Sequence, residues 1–357
     1  MDLESAIRIQ FRLVDTIQRH FDGYSVIGSG DLGVVESLGR PRTTAMVEST
    51  LAEFFGADDA VLVRGAGTGA IRSALQAGLR PGASVLVHSA PIYPTTRVTL
   101  ESMRVTLLKC DFNDLDETGE ACRGVDAALV QHTRQSPRDR CRPGEVIATL
   151  RSSDPGLFIL SDDNYAVMRV PKIGFESGAT ASAFSLFKLL GPEGIGCVVG
   201  KSELIRRIRE QTYSGGSQVQ GPEAMDALRS LVYAPVALAI QGRVVREVVE
   251  RLCAGEIPEV KAAHAANAQS SVALVEFRDP IAPRVLEHAW RFGAAPHPVG
   301  AESRYEVAAL FYRVSGTYLE DDPSLQSYMI RVNPMRAGSD TVLRVLRQTL
   351  DYVRNSG

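Results

Sequence analysis

Short apolar runs alternate with helical periods through most of this chain. Between about residues 45 and 240, the segments "AVLVRG", "ASVLVHSA", "VTLLKC", "AALVQH", "LFILSDD", "ASAFSLF" and "GCVVG" are apolar, and most are β-branched or leucine-rich. They predict strands. Helical stretches such as "GAIRSALQAGL" and "GEVIATLRSS" lie between most of them. Buried strands alternating with helices predict an α/β fold, a three-layer sandwich with a mostly parallel sheet covered on both faces. In such a fold, functional groups collect beyond the carboxyl ends of the strands.

The two flanks of this region read differently. At the N-terminus Leu3, Ile7, Phe11, Val14, Ile17 and Phe21 recur at helical spacing and predict a docking helix. The early acids and the missing apolar core of a leader argue against a signal peptide. From about 218 to 253, "PEAMDALRSLVYAPVALAIQGRVVREVVERL" predicts a long connecting helix. Beyond it, "SSVALVEF", "EVAALFYRV" and "SYMIRV" predict strands, and "SDTVLRVLRQTLDYV" predicts a closing helix. The expected division is an N-terminal helix and arm over 1–45, a large domain over 46–240 and a smaller α+β domain over 241–357.

Composition narrows the function classes. A formal charge of −3 gives no push toward nucleic acid or a membrane surface. No apolar run is long enough to span a bilayer. The five cysteines are scattered, with no CxxC pair, and the six histidines form no ligand pair. This argues against a disulfide framework or a metal site and for a reducing, cytoplasmic setting. Basic residues are nearly all arginine; the lysines are only Lys109, Lys172, Lys188, Lys201 and Lys261.

Three stretches carry candidate chemistry. In "VLVRGAGTGAIRSAL" an apolar strand runs through Gly65, Gly67, Thr68 and Gly69 into a helix. Glycines admit a close ligand and a helix N-terminus offers free N–H groups, so a phosphate cradle and a plain tight turn both remain open. The stretch lacks the lysine of a Walker loop and the spacing of a dinucleotide fingerprint. "LFILSDDNYAV" ends a strand on Asp162 and Asp163, where a carboxylate can hold a proton on a heteroaromatic nitrogen or cap a helix. "AFSLFKLLGPEGIGCVVG" places Lys188 in an apolar, glycine-rich run. Such an amine either reaches solvent or forms a Schiff base with an aldehyde.

Their succession matches what pyridoxal phosphate needs: an anion cradle, an acid for the pyridine nitrogen and a lysine for the aldehyde. The chain here resembles the fold-type I pyridoxal-phosphate enzymes, the aspartate aminotransferase superfamily. It is most similar to the cystathionine/methionine lyase branch and its bacterial relatives. The resemblance implies that "SLFK" makes Lys188 the Schiff-base lysine and Ser185 a phosphate ligand, with Gly67, Thr68 and Gly69. "DDNY" resembles Asp-x-x-Tyr and favours Asp162 over Asp163 as the pyridine partner. "IYPTT" implies that Tyr93 stacks on the cofactor ring, and "YMIRVNP" that Arg331 grips the substrate carboxylate.

In "QHTRQSPRDRCR", His132 or Arg134 is expected near the ring, with an arginine reading a second anionic group; a solvated basic loop is the other reading. The resemblance also implies that "GRPRTT" offers Arg40 or Arg42 to a neighbouring subunit's phosphate and that Ser214 to Gln218 lie near a dimer interface, a plain flexible loop being the other reading. The implied protein is a homodimeric enzyme acting on an amino acid by β- or γ-elimination or replacement, with an aminotransferase as the alternative. The departures are "KLLGPEG" after the lysine and "GAGTGA" in place of the branch's Ser-Gly-Met.

Overall fold

The strand–helix alternation folds into two sheets in a computed structural model that describes residues 1–133, 136, 139–266, 271–299 and 302–356. The larger sheet contains β1 (Asp59–Arg64), β2 (Ser84–His88), β3 (Thr106–Cys110), β4 (Ala127–Gln131), β5 (Phe158–Asp162), β6 (Ala181–Ser185) and β7 (Ile195–Gly200). Their order is β1-β7-β6-β5-β4-β2-β3. Neighbours from β6 to β3 are parallel, and β7 alone runs against both β6 and β1. The carboxyl ends of all the others therefore meet along one edge.

Both faces of this sheet are covered. Leu129, Leu160, Ala181 and Ala183 pack with Ile71, Ala74 and Leu75 of the helix Ala66–Gly78. Val130 and Ile159 pack with Val146, Ile147 and Leu150 of the helix Pro143–Ser153. Two-sided burial is why these strands read as continuous apolar runs rather than alternating ones.

The smaller sheet contains β8 (Val260–Ala265), β9 (Ala273–Phe277), β10 (Leu310–Arg313) and β11 (Met329–Asn333), all antiparallel in the order β10-β11-β9-β8. β8 was not among the expected strands. Its "VKAAHA" is alanine-rich and so weak in β-propensity, and it forms a sheet edge with a register shift between Val260 and Ala262. The helix Gly221–Cys253 joins the two units. Its Met225, Leu228 and Leu231 pack in the core under the large sheet, while Val245, Val248 and Leu252 pack under the small one. Gln220 and Glu223 start it with reciprocal side-chain caps.

The N-terminal helix Leu3–His20 corrects one expectation. Its buried residues are Ala6, Leu13, Thr16 and Ile17, whereas Phe11 is 64% exposed and Leu3 is also exposed. The helix carries two apolar stripes, and the expected one mixed them. Only the stripe through Leu13 and Ile17 docks on this chain's own core.

Candidate functional site

Side-chain alternation along the strands sorts the candidates onto two faces. Residues two apart share a face, so Gln131 follows Leu129, Asp162 follows Leu160 and Ser185 follows Ala183. All three therefore lie on the side of the helix Ala66–Gly78. His132 follows Val130, and Asp163 follows Ile159 and Ser161, on the side of the helix Pro143–Ser153. The register agrees, with Gln131 opposite Asp162 and Asp162 opposite Ala183.

On the first face, the turn "GAGTGA" passes from β1 into its helix through Gly65 at φ 96. A Cβ at Gly69 would stand 2.0 Å from the Arg64 carbonyl oxygen, so the tight turn itself demands glycine there. Gly67 and Thr68 lie in the first helical turn, where backbone N–H groups have no intrahelical acceptor. A Cβ on Gly67 would meet the Asn164 amide oxygen at 2.3 Å. That same oxygen accepts the Ser185 N–H at 3.1 Å, so the turn and Ser185 both border Asn164. The Ser185 hydroxyl is buried and has no hydrogen-bond partner among the described residues. A buried orphan hydroxyl beside a helix N-terminus suits an anion acceptor.

Asp162 is buried at the end of β5, and its Oδ1 accepts from the Asn164 side-chain amide at 2.8 Å and backbone N–H at 3.1 Å. Burial pushes its carboxyl above the ordinary range, against the opposing pull of Asn164 and Lys188. Lys188 sits in the short turn Phe187–Leu189. Burial lowers its pKa, opposed by Tyr93 and Asp162 and assisted by Arg169. Its Nζ lies 3.8 Å from the centre of the Tyr165 ring. Tyr93 caps the helix Pro94–Ser102, is 43% exposed, and donates its backbone N–H to Gln131 Oε1 at 3.4 Å. The Thr68 and Thr95 hydroxyls are 3.1 Å apart, joining the glycine turn to the helix that Tyr93 begins.

Arg331 comes from β11 of the small sheet. Its Nε donates to the Arg313 carbonyl at 2.7 Å, and its guanidinium lies 4.1 Å over the Tyr312 ring. Its charge acts on both Tyr165 and Tyr312. Among the described residues no carboxylate pairs with it, which leaves a fork of donors for an anion.

On the second face polar groups pair around Asp163, although the buried Ser161 hydroxyl there has no hydrogen-bond partner among the described residues. Asp163 is fully buried; it accepts the Gly174 N–H on both oxygens at 3.2 Å and faces His132 Nε2 at 3.3 Å. His132 is thus turned toward Asp163, not toward Lys188. Beside it lies a cavity of about 670 Å³ bordered by His88, Phe112, Asp139 and Arg140. His88 contacts Asp139 at 3.0 Å through Nε2. Arg134 lies outside the described residues.

The arm and loop candidates sit farther out. Arg40 pairs with buried Glu48 at 2.7 Å, so it is committed within its own chain. Arg42 is exposed. The Ser214–Gln218 loop is tied to Arg64 through the Gln218 carbonyl at 3.0 Å and to the arm through Gly39 at 2.6 Å. Asn164, Tyr165 and Tyr312 belong to the cluster but were not singled out from the sequence. The "DDNY" stretch contained the first two as flanking residues only.

The residues present fit pyridoxal phosphate. The orphan Ser185 hydroxyl and the glycine turn suit its phosphate, Asp162 its ring nitrogen and Lys188 its aldehyde.

Comparison with known proteins is consistent with that chemistry. The family described as YhfS-like, C-terminal domain, matches residues 246–346. The Escherichia coli protein YhfS is 54% identical over 343 residues, 96% of this chain and 94% of that one. A crystal structure of YhfS, described as pyridoxal-5'-phosphate dependent, superposes with a TM-score of 0.96 at 52% identity, over 99% of this chain and 98% of the other. A cystathionine γ-lyase from Micromonospora echinospora superposes at 0.76 and 18% identity, over 96% and 99% of the two chains. A cystathionine γ-synthase from Xanthomonas oryzae pv. oryzae, solved with aminoacrylate and cysteine, gives 0.74 at 16%, over 99% of each. Likeness at that identity speaks for the shared fold.

Proposed function

The chain belongs to the YhfS family of fold-type I pyridoxal-phosphate-dependent enzymes, and from that premise we propose that it eliminates or replaces a β- or γ-substituent of an amino acid. The observation that carries the reading is the single face shared by Asp162, Ser185 and the glycine turn, with Lys188 at its mouth. The lyase and synthase neighbours support the reaction class through their fold.

Each residue then has a task. The Ser185 hydroxyl and the Gly67 and Thr68 amides hold the phosphate. Asp162 holds a proton on the pyridine nitrogen; its Asn164 partners keep the carboxylate aimed. Bound there, the cofactor supplies an electron sink for the bond broken at the substrate α-carbon. Lys188, with its pKa lowered by burial, is an amine that can take the α-proton. Arg331 grips the carboxylate, and Tyr93 covers the ring. His132 supports Asp163 from behind.

A homodimer fits the surface. Tyr24, Ile27, Leu32 and Val34 of the arm, with Tyr213 and Tyr233, are exposed large apolar groups. Exposed apolar groups of that size suit a partner surface, and Arg42 on the same arm is exposed too. Among the described residues, no helix is long and apolar enough to cross a membrane.

The test is a visible spectrum followed by product analysis. The wild-type protein should be yellow, and Lys188→Ala should lose or shift the band and at least about 1,000-fold of the rate. An eliminating enzyme releases a 2-oxo acid and ammonia without a second substrate. A requirement for a 2-oxo acid acceptor would instead assign an aminotransferase.

A further inference from the structure

A strained residue of the cluster touches the lysine. Tyr165 has φ 64, in the left-handed region that a bulky side chain rarely occupies. Such a conformation persists only where the surroundings enforce it. Here Arg169 donates to the Tyr165 carbonyl at 2.9 Å and forms a buried ion pair with Glu302. Met168, also at positive φ, completes the turn. The outcome is a phenol ring whose face lies under Lys188 Nζ at 3.8 Å.

Among the described residues, no acid takes that place. Lys201 and Lys261 each meet a carboxylate within ion-pairing distance, at 3.5 and 2.7 Å. Lys188 has no such pair among the described residues. The groups acting on it are Tyr93 from the helix after β2, Asp162 from β5 and Arg169 from the segment beyond it. Asp162 Oδ1 is engaged by Asn164. Arg331, Arg169 and Glu306 act on Tyr165 in turn. The ring face therefore lies closer to the amine than any carboxylate among the described residues, and an aromatic face attracts a cation.

We propose that Tyr165 is a positioning residue whose ring face seats the Lys188 amine whenever the lysine is released from the cofactor. A released ammonium in a dry site needs a partner that does not compete with Asp162 for the pyridine proton. An aromatic face meets that need because it attracts the cation but offers no strong base. The same contact holds the chain of Lys188 in one place for its next attack. The seat depends on the ring and not on the hydroxyl. This rests on Lys188 carrying the cofactor.

The test follows the pH profile of Lys188 itself. The holoprotein is treated with hydroxylamine, which removes the cofactor aldehyde as its oxime, and is then desalted. Lys188 is trace-labelled by reductive methylation between about pH 6 and about pH 10, a span reaching the ordinary lysine value, and its peptide is quantified by mass spectrometry. Lys201 and Lys261 in the same digest report on global folding.

Tyr165→Phe should reproduce the wild-type profile. Tyr165→Leu removes the face that favours the ammonium, so its midpoint should move to lower pH, with labelling faster by about 3- to 10-fold below the midpoint. A Leu profile that coincides with wild type or moves to higher pH overturns the proposal. So does a Phe profile displaced as far as Leu, which would assign the effect to the hydroxyl. Should the Leu chain misfold, Tyr165→Trp tests the opposite direction: a stronger face moves the midpoint up, and no movement overturns the seat. The cofactor reading fails separately, if borohydride reduction of the holoprotein fixes the cofactor to a residue other than Lys188.

Discussion

Two neighbouring acids at the end of β5 experience opposite surroundings. Asp162 shares its side with Lys188, a buried serine hydroxyl with no partner among the described residues and a helix start with free N–H groups. Asp163, one residue on, faces His132 and the Gly174 N–H and is fully enclosed. The first face holds polar groups that wait for a ligand. The second holds an acid enclosed by its own partners, although the Ser161 hydroxyl beside it has no partner among the described residues. Buried polar atoms are normally satisfied, so an orphan hydroxyl beside a helix start is where binding energy can be gained. The enclosed Asp163 serves stability.

The largest expected effect separates the two acids. Asp162→Asn keeps the shape but cannot hold a proton on the pyridine nitrogen, and should lower kcat by about 100-fold or more. Burial already opposes its charge, so the cofactor-free protein should melt at the wild-type temperature or above it. Asp163→Asn should do the reverse: loss of the charged partner of His132 costs about 1–3 kcal/mol, several degrees of Tm, with kcat close to wild type. Kinetics and melting curves of the two variants, with and without added pyridoxal phosphate, check this. A catalytic collapse in Asp163→Asn with intact melting would exchange the roles.

Why sequence could not separate these acids is instructive. In a strand exposed on one side, alternation of apolar and polar residues tells which face is buried. β5 is apolar on both faces, with Ile159 and Leu160 packed against different helices, so parity along "LFILSDD" says nothing about direction. Only the packing decides it. The seven strands of the large sheet were legible because each is a short apolar run between helical periods. Lys188 stood out because the chain has so few lysines. Tyr165 did not, since its left-handed backbone is enforced by Arg169 and by Glu302 more than 130 residues away. Phe11 misled because a helix can carry an apolar stripe for a partner as well as one for its own core.

Arg331 offers a smaller, sharper test of the ligand-facing side. Its fork is held by the Arg313 carbonyl and the Tyr312 ring, not by an acid. Arg331→Lys keeps the charge but loses the planar pair of donors. It should raise KM for the amino acid by about 10-fold or more and leave kcat less affected, since the carboxylate is bound alike in ground and transition states. An unchanged KM would place the carboxylate elsewhere, and spectral titration with amino acids would show the same affinity.

The smallest expected effect lies on the second face and depends on pH. Burial works against a charged His88, but its contact with Asp139 outweighs this and raises its pKa above the ordinary value. A raised folded value means that charged His88 contributes stability below the unfolded value of about 6.5. That contribution fades as pH rises through the higher folded value. The Tm difference between wild type and His88→Gln should therefore be wider near about pH 6 than near about pH 8.5, by a few degrees at most. One contact opposes this: the Phe112 N–H donates to His88 Nδ1 at 3.1 Å, which favours the neutral ring. A difference that stays constant with pH would mean that this donor outweighs Asp139. The second face would then be held by a neutral hydrogen-bond network rather than by charge.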